Sequence, residues 1–359
     1  MSAVGLPRTV AVLGGGAMGS ALVPALRRAN LRVSTAWSRN PHPGPWRSGP
    51  LPRALREAEL VLLAVADGAV AQLCAQLVDE RLIIPGQLVV HLAGGLPVSV
   101  LDPAVRAGAR TGSMHPLRAV MPSPPPDALK GATASIAGSD EIALSQVAAL
   151  SHALGMVPLP VSDSHRPLYH AAAVLAGGAQ VALFAEAVRA FQAATGTTEE
   201  EARAALLPLA QGALLALQGR TPAAAVTGPV LRGDAATVVA HRVALQAVDP
   251  QLRALYETLS HASLRLAREG QRASDEALAL VSAALSGPLL PVGPQPAAAR
   301  AEPPRMPSSP LAEAPGSRSS RPRHPPPKAA RPAASSRSPA PHGRPPSPPP
   351  RGPAPRKRR

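Results

Sequence analysis

The stretch Thr9–Leu22, TVAVLGGGAMGSAL, decides the fold of this chain. Its first five residues are a short apolar run rich in valine, which is typical of a buried strand. Three glycines follow in the spacing G-x-G-x-x-G, and a run of helix-forming residues begins at Ser20. This order of strand, glycine turn and helix predicts the beginning of a parallel α/β unit.

Each glycine of the motif has a separate physical role. We expect Gly14 to make the tight turn out of the strand, Gly16 to let the backbone approach a diphosphate, and Gly19 to let the helix pack closely on the strand. The unpaired N–H groups at the helix N-terminus would then face the phosphates. The sequence therefore predicts a dinucleotide site that includes Ala17 and Met18, and the alternative is a glycine-rich turn without a ligand.

Strands and helices alternate through the first half of the chain, and the second half is helical and alanine-rich. Alternation of this kind predicts a doubly wound sheet. We therefore predict three segments: an α/β Rossmann domain with a mostly parallel sheet at residues 1–162, an all-α domain at 163–286, and a disordered basic tail at 287–359.

The charge of the chain is concentrated in that tail. Residues 287–359 carry +12 of the net +15 and hold 23 of the 45 prolines, with no aromatic residue. Such a composition cannot bury a core, so we predict disorder. The arginines could bind nucleic acid or an acidic partner, but we favour a solvated extension because aromatic stacking residues are missing.

Other sequence features limit the class of protein. Cys74 is the single cysteine, which suits a reducing cytosol. The N-terminus does not resemble a signal peptide, and no run of about 18 uninterrupted apolar residues predicts a membrane span. We therefore predict a cytoplasmic protein without membrane association. No His, Cys, Asp or Glu cluster has metal-site spacing, so we expect no metal.

The end of the second predicted strand indicates which dinucleotide is bound. Sites that prefer NAD place an acidic residue here, but this chain has Ser38, Arg39 and Asn40. A hydroxyl and a guanidinium suit a 2′-phosphate, so we predict NADP rather than NAD; the alternative is a solvated arginine. The end of the third predicted strand should line the same site, with Asp67 also capping the next helix: Ala64, Val65, Ala66 and Asp67.

Two histidines are the candidate catalytic residues. His115 follows a predicted strand, where ligands of open α/β sheets bind, and its side chain titrates near neutral pH. His170 lies on the first helix of the second domain. Either histidine could instead brace a turn or a domain contact. Weaker candidates for substrate contact lie in glycine-containing turns: Ala93, Gly94, Gly177, Gly178, Arg232 and Asp234.

Several stretches resemble a bacterial group of Rossmann-like proteins whose C-terminal helical domain has no known function. They are GGGAMGSAL, LLAVADGAV, VVHLAGG, TGSMHPL, YHAAAVLAGG and TGPVLRGDAATVVAHRVAL. A more distant resemblance is to pyrroline-5-carboxylate reductase, through the glycine loop and the glycine-interrupted helix AAAVLAGGAQVALFAEAV. This second resemblance implies an NADP-linked reductase in which paired C-terminal helices form a homodimer.

Two functions follow from these observations. The first is an NADP-dependent oxidoreductase acting on a small imine or carbonyl compound between the two domains. The second is a non-catalytic dinucleotide-binding sensor that acts through a partner. Lys130 is the single lysine before the tail and lies outside the helical domain. This argues against β-hydroxyacid dehydrogenases and ketopantoate reductases, which use a lysine in that domain.

Overall fold

The computed structural model describes residues 5–288, which belong to one compact unit. Residues 1–4 and 289–359 lie outside the described residues. The predicted disorder of the tail therefore concerns residues that the structure does not describe, apart from Gly287 and Pro288.

The core of the first half is a seven-stranded sheet in the order β2-β1-β3-β4-β5-β6-β7. All neighbouring strands are parallel except β5 and β6, which are antiparallel. This confirms the predicted mostly parallel sheet. The strands are β1 (Thr9–Leu13), β2 (Arg32–Trp37), β3 (Leu60–Leu63), β4 (Leu88–His91), β5 (Arg110–Pro116), β6 (Thr133–Gly138) and β7 (Val157–Pro160).

Helices cover both faces of this sheet. They are α1 (Ala17–Arg28), α2 (Asp67–Asp79), α3 (Asp102–Arg106) and α4 (Glu141–Ala153). Alternate residues of each strand point to opposite faces, so Val10 and Val12 join one core cluster while Ala11 and Leu13 join another. Apolar side chains therefore fill two layers, as a doubly wound fold requires.

The chain after β7 is helical. The helices are α5 (Arg166–Ala176), α6 (Gly178–Thr195), α7 (Glu199–Leu215), α8 (Pro222–Ala225), α9 (Ala235–Val248), α10 (Pro250–Glu269) and α11 (Asp275–Ser286). Helices α5 and α6 were expected as one helix interrupted at Gly177 and Gly178, and the chain bends at Gly177 (φ −116°, ψ −95°). Thr198 caps α7: its hydroxyl accepts from the Glu201 N–H, and the Glu201 carboxylate accepts from the Thr198 N–H.

The helical half has a small core of its own. Val238, Leu264 and Val281 bury their side chains between α9, α10 and α11. The buried Arg242 ties these helices together by donating to the Glu257 carboxylate and to the Ala284 carbonyl. Burial in this half therefore centres on its last three helices.

Helices α5 to α7 expose many apolar side chains. Leu168, Leu175, Val181 and Leu209 are each 65% exposed or more. The segment Asp163–Thr195 is long and apolar enough to cross a membrane by length and composition. Only 6% of its most apolar window is buried inside the protein. One such segment does not overturn the prediction of a protein without a membrane span, which stays a prediction. Exposed apolar area of this extent is typical of a surface that another molecule covers.

Candidate functional site

The glycine loop has the geometry that its sequence predicts. Gly14 has φ +118°, and a Cβ there would overlap the Ala64 carbonyl oxygen. A Cβ at Gly19 would overlap the carbonyl oxygen of Gly14, so α1 lies directly on the loop. No atom lies within 4 Å of the Cβ position of Gly16. The backbone at Gly16 is therefore open to a ligand at the N-terminus of α1.

The proline-rich loop after β2 lies against the glycine loop. A Cβ at Gly15 would be 3.1 Å from Ser38 Oγ and 3.0 Å from His42 Cγ. The Trp46 ring packs edge-on to His42 and comes within 3.0 Å of the Cβ position of Gly19. Ser38 therefore lies beside the glycine loop, where the dinucleotide site is predicted. Arg39 and Asn40 follow it and are exposed.

Sequence reasoning missed His42 and Trp46. The residue that follows Trp46, Arg47, forms a bridge with Trp37 at the end of β2 and so holds the loop in place. The Arg47 N–H donates to the Ala36 carbonyl, and the Arg47 carbonyl accepts from the Ser38 N–H. A cavity of about 500 Å³ lies between this loop and α1. The usable signal was one of the chain's two tryptophans in a loop, since Phe, Trp and Tyr make up only 2% of the residues.

The end of β3 lies against the glycine loop, as predicted for Ala64 and Val65. The predicted capping role of Asp67 is wrong. Ala66 occupies the N-cap position, Asp67 is the first residue of α2, and no side chain caps this helix. An acidic residue in the first turn still interacts favourably with the helix dipole.

The two candidate histidines meet at the carboxyl ends of β4 and β5. His115 Nδ1 and Tyr169 Oη are 2.9 Å apart, and the rings of His115 and His170 are edge-to-face at 5.8 Å. A Cβ at Gly94 would lie 2.5 Å from His170 Nδ1 and 3.0 Å from His115 Nε2. We call His115, Tyr169, His170 and Gly94 the histidine cluster. Tyr169 is a member that sequence reasoning missed.

A buried cation lies beneath the histidine cluster. Arg166 is 0% exposed, donates to Ser113 Oγ on β5, and forms an ion pair with Asp163 at 3.1 Å. Asp163 also accepts from the Val98 N–H at 2.9 Å. Among the described residues, Arg166 Nη1 and both ring nitrogens of the buried His91 have no hydrogen-bond partner.

These surroundings disfavour protonation of the buried His91 and of the half-buried His115. Burial, and then the charge of Arg166, lower the pKa of His91 to about 4. Burial lowers the pKa of His115, the charges of His170 and Arg166 lower it further, and Asp67 opposes them. Together these effects favour the neutral form of the His115 ring.

The remaining predicted residues lie elsewhere. Asp234 is the N-cap of α9, where it accepts from the N–H and hydroxyl of Thr237. Arg232 precedes Gly233, whose Cβ position lies 2.5 Å from the side chain of Ala277, so this turn packs on α11. Gly177 forms the bend after α5, and the Cβ position of Gly178 is open. Within residues 5–288, no described contact joins Gly177, Gly178, Arg232 or Asp234 to the histidine cluster.

Another histidine–tyrosine pair lies in the helical half. His241 Nδ1 and Tyr256 Oη are 3.0 Å apart beside a cavity of about 210 Å³ that Thr227, Gly228 and Pro229 also line. Within residues 5–288, no group of three His, Cys, Asp or Glu side chains is arranged to hold a metal ion.

Comparisons with known proteins agree with this architecture. A Rossmann-like domain model matches residues 4–116, and the model of a domain of unknown function, DUF2520, matches residues 132–263. The chain therefore contains a Rossmann-like domain followed by a DUF2520 domain. The DUF2520 match begins at β6, inside the sheet, and not after β7. No curated protein sequence matches the chain.

Solved structures share the fold at low sequence identity. A proposed NADP oxidoreductase from Bacteroides fragilis is 22% identical, with a TM-score of 0.57 over 71% of this chain and 97% of that one. Protein TM1727 from Thermotoga maritima is 19% identical, with a TM-score of 0.55 over 73% and 99%. Plasmodium falciparum pyrroline carboxylate reductase, solved with NADP bound, is 13% identical, with a TM-score of 0.50 over 77% and 100%. These likenesses confirm the fold resemblance.

The low pKa of His91 predicts a pH-dependent stability. The unfolded chain takes up a proton near pH 6.5 and the folded chain only near pH 4, so stability is lost as the pH falls between these values. The loss attributable to His91 should reach roughly 3 kcal/mol. Urea unfolding across this range should show a smaller loss in His91→Gln than in the wild type.

The matched control is the same substitution at the exposed His152. His152→Gln should keep the wild-type dependence of unfolding free energy on pH. An unchanged dependence in His91→Gln would show that His91 is not held neutral in the folded protein.

Proposed function

We propose that this protein is a nicotinamide-dependent oxidoreductase that uses NADP and acts on a small imine or carbonyl compound at the histidine cluster. One observation carries the proposal: the half-buried His115 and an open glycine loop lie along the same edge of one sheet. Gly14 packs on the end of β3, and Gly94 and His115 follow at the ends of β4 and β5. Two strand spacings separate β1 from β4, roughly 10 Å, which the nicotinamide half of a dinucleotide can bridge.

The residues fit a dinucleotide. Gly16 leaves the backbone at the N-terminus of α1 open for a diphosphate, and Ser38 and Arg39 offer a hydroxyl and a guanidinium to a 2′-phosphate. Such a cofactor supplies the hydride, and the protein must orient it and manage the proton. The Cβ position of Gly94 lies 2.5 Å from His170 Nδ1 and 3.0 Å from His115 Nε2, so only a glycine lets the turn after β4 approach both rings this closely.

His115 is the proton-handling residue of this proposal. When Tyr169 Oη donates to Nδ1, the neutral ring carries its proton on Nε2, the atom that faces Gly94 and His170. In the reduction of an imine or carbonyl compound, Nε2 would give its proton to the substrate nitrogen or oxygen, and Nδ1 would take one from Tyr169. The product is an amine or an alcohol, and Tyr169 regains its proton from solvent.

We further propose that two copies of the chain associate through α5, α6 and α7. Leu175 and Val181 are 65% and 70% exposed and lie on either side of the bend at Gly177. Exposed apolar area of this extent is typical of an interface between subunits. The ion pair of Glu186 and Arg189 in the middle of α6 favours a second copy over a lipid bilayer as the covering partner.

The first prediction concerns binding and turnover. The full-length protein should bind NADPH, measured by its fluorescence, and oxidise it with at least one member of a panel of imines and keto acids. Gly16→Asp should abolish binding, because a carboxylate would occupy the diphosphate position. Gly5→Asp, placed before β1 with no atom within 4 Å of its Cβ position, is the control and should bind normally.

Normal NADPH affinity in Gly16→Asp would remove the site from the glycine loop. Binding by the wild type without turnover of any compound would contradict the oxidoreductase and favour the sensor function.

The second prediction concerns the choice of dinucleotide. Arg39→Asp should weaken NADP binding by at least about tenfold, since it replaces a cation by an anion near the 2′-phosphate. NAD affinity should be kept or improved. The control is Arg32→Asp, an exposed arginine at the opposite end of β2. An NADP-to-NAD affinity ratio that Arg39→Asp leaves unchanged would show that Arg39 does not select the cofactor.

The third prediction concerns assembly. Sedimentation velocity should give a dimer for the wild type and a monomer for the double variant Leu175→Glu/Val181→Glu, because buried unpaired carboxylates are costly. Met121→Glu changes a residue that is 71% exposed outside these helices and should stay dimeric. A monomeric wild type, or recovery of the protein in membranes, would contradict this interface.

A further inference from the structure

We propose that Arg166 is a positioning residue that fixes the start of α5 against β5 and so places Tyr169 and His170 on His115. This inference rests on the proposed role of His115 in proton transfer. Arg166 is the largest side chain that is fully buried in the described residues, and the dinucleotide and proton-handling roles described above do not use it.

The spacing of the residues makes Arg166 part of one contact surface. Arg166, Tyr169 and His170 are three and four residues apart on α5, so they share one face of the helix. Ser113 and His115 are two residues apart on β5, so they share one face of the strand. Arg166 bonds to Ser113, and Tyr169 bonds to His115. Two parallel contacts therefore set the position of the helix along the strand.

Asp163 holds the guanidinium in place. It receives Arg166 Nε at 3.1 Å and the Val98 N–H at 2.9 Å, which connects the start of α5 to the turn after β4. That turn begins with Gly94 and Gly95, whose Cβ positions lie 2.5 Å and 3.2 Å from the His170 ring. The same ion pair thus fixes both sides of the histidine cluster.

A purely structural role would not require an arginine. Burying a cation costs more free energy than burying a methionine of similar length, and a buried ion pair rarely recovers the difference. Arg166 also has a buried Nη1 without a partner among residues 5–288, which adds to that cost. The cost is explained if the geometry and charge of the guanidinium act on the histidine cluster.

The test uses the full-length protein with isotope-labelled histidine and requires neither cofactor nor turnover. The variant Tyr169→Phe lacks the tyrosine hydroxyl and gives the resonance of His115 Nδ1 without its partner. The Nδ1 resonance should move towards this position in Ser113→Ala and in Arg166→Met. Ser151→Ala removes another fully buried serine hydroxyl, bonded within α4, and should leave the resonance unchanged. If Arg166→Met does not fold, the Nδ1 resonance of His115 in Ser113→Ala alone tests the inference.

A second measurement separates positioning from simple stability. The groups that act electrostatically on His115 are His170 and Arg166, which lower its pKa, and Asp67, which raises it; His91 and Asp163 lie beside Arg166. Arg166→Met removes a cation, so the titration midpoint of His115 should rise. Asp163→Asn leaves that cation uncompensated, so the midpoint should fall.

Opposite shifts, together with the moved resonance in Ser113→Ala, support the inference. A wild-type Nδ1 resonance in Ser113→Ala and Arg166→Met, or shifts of the midpoint in the same direction, would overturn it. Because the measurement is made without NADPH, failure of this inference is distinct from failure of the proposed reductase.

Discussion

The close approach of two backbone segments at Gly14 governs the arrangement of this protein. The Gly14 N–H donates to the Trp37 carbonyl at 2.7 Å, and the position of its missing Cβ is filled by the carbonyl of Ala64. The end of β1 is therefore held between the ends of β2 and β3. Because Gly19 has no side chain, α1 packs directly on the Gly14 carbonyl. The N-terminus of α1 therefore lies at the edge of the sheet where the strands end. Every proposed role for that edge depends on this backbone contact.

The histidine cluster depends on a second contact of a different kind. Helix α5 is the first element after the sheet, and its first turn reaches back to β5 through Ser113 and His115. A polar contact of this sort is directional, so it specifies one placement of the helix where apolar packing would tolerate several. The catalytic proposal and the positioning of α5 are thus two aspects of the same helix–strand contact.

The sequence predicts these two contacts unequally. The glycine loop was predictable because its spacing is local and each position excludes a side chain for a steric reason. The end of β5 was predictable from strand topology, which brought out His115. Arg166 and Ser113 lie 53 residues apart in the sequence, and no sequence pattern predicts the hydrogen bond between them. His42 and Trp46 lie in a loop without periodicity, which is held by the bridge at Arg47 and by the bond from Trp37 Nε1 to the Gly49 carbonyl. The Asp67 cap failed because α2 begins one residue earlier than its sequence suggests.

The two outer strands of the sheet restrict how copies of this protein can meet. Strand β7 carries Pro158 and Pro160, which have no N–H to offer a further strand, and β2 is already bridged by Arg47 on its free side. Lateral extension of the sheet into a continuous ribbon of subunits is thereby disfavoured, by the prolines along β7 and by the bridge at the carboxyl end of β2. Self-association is left to side-chain packing, which can close on itself and stop at a defined number of copies.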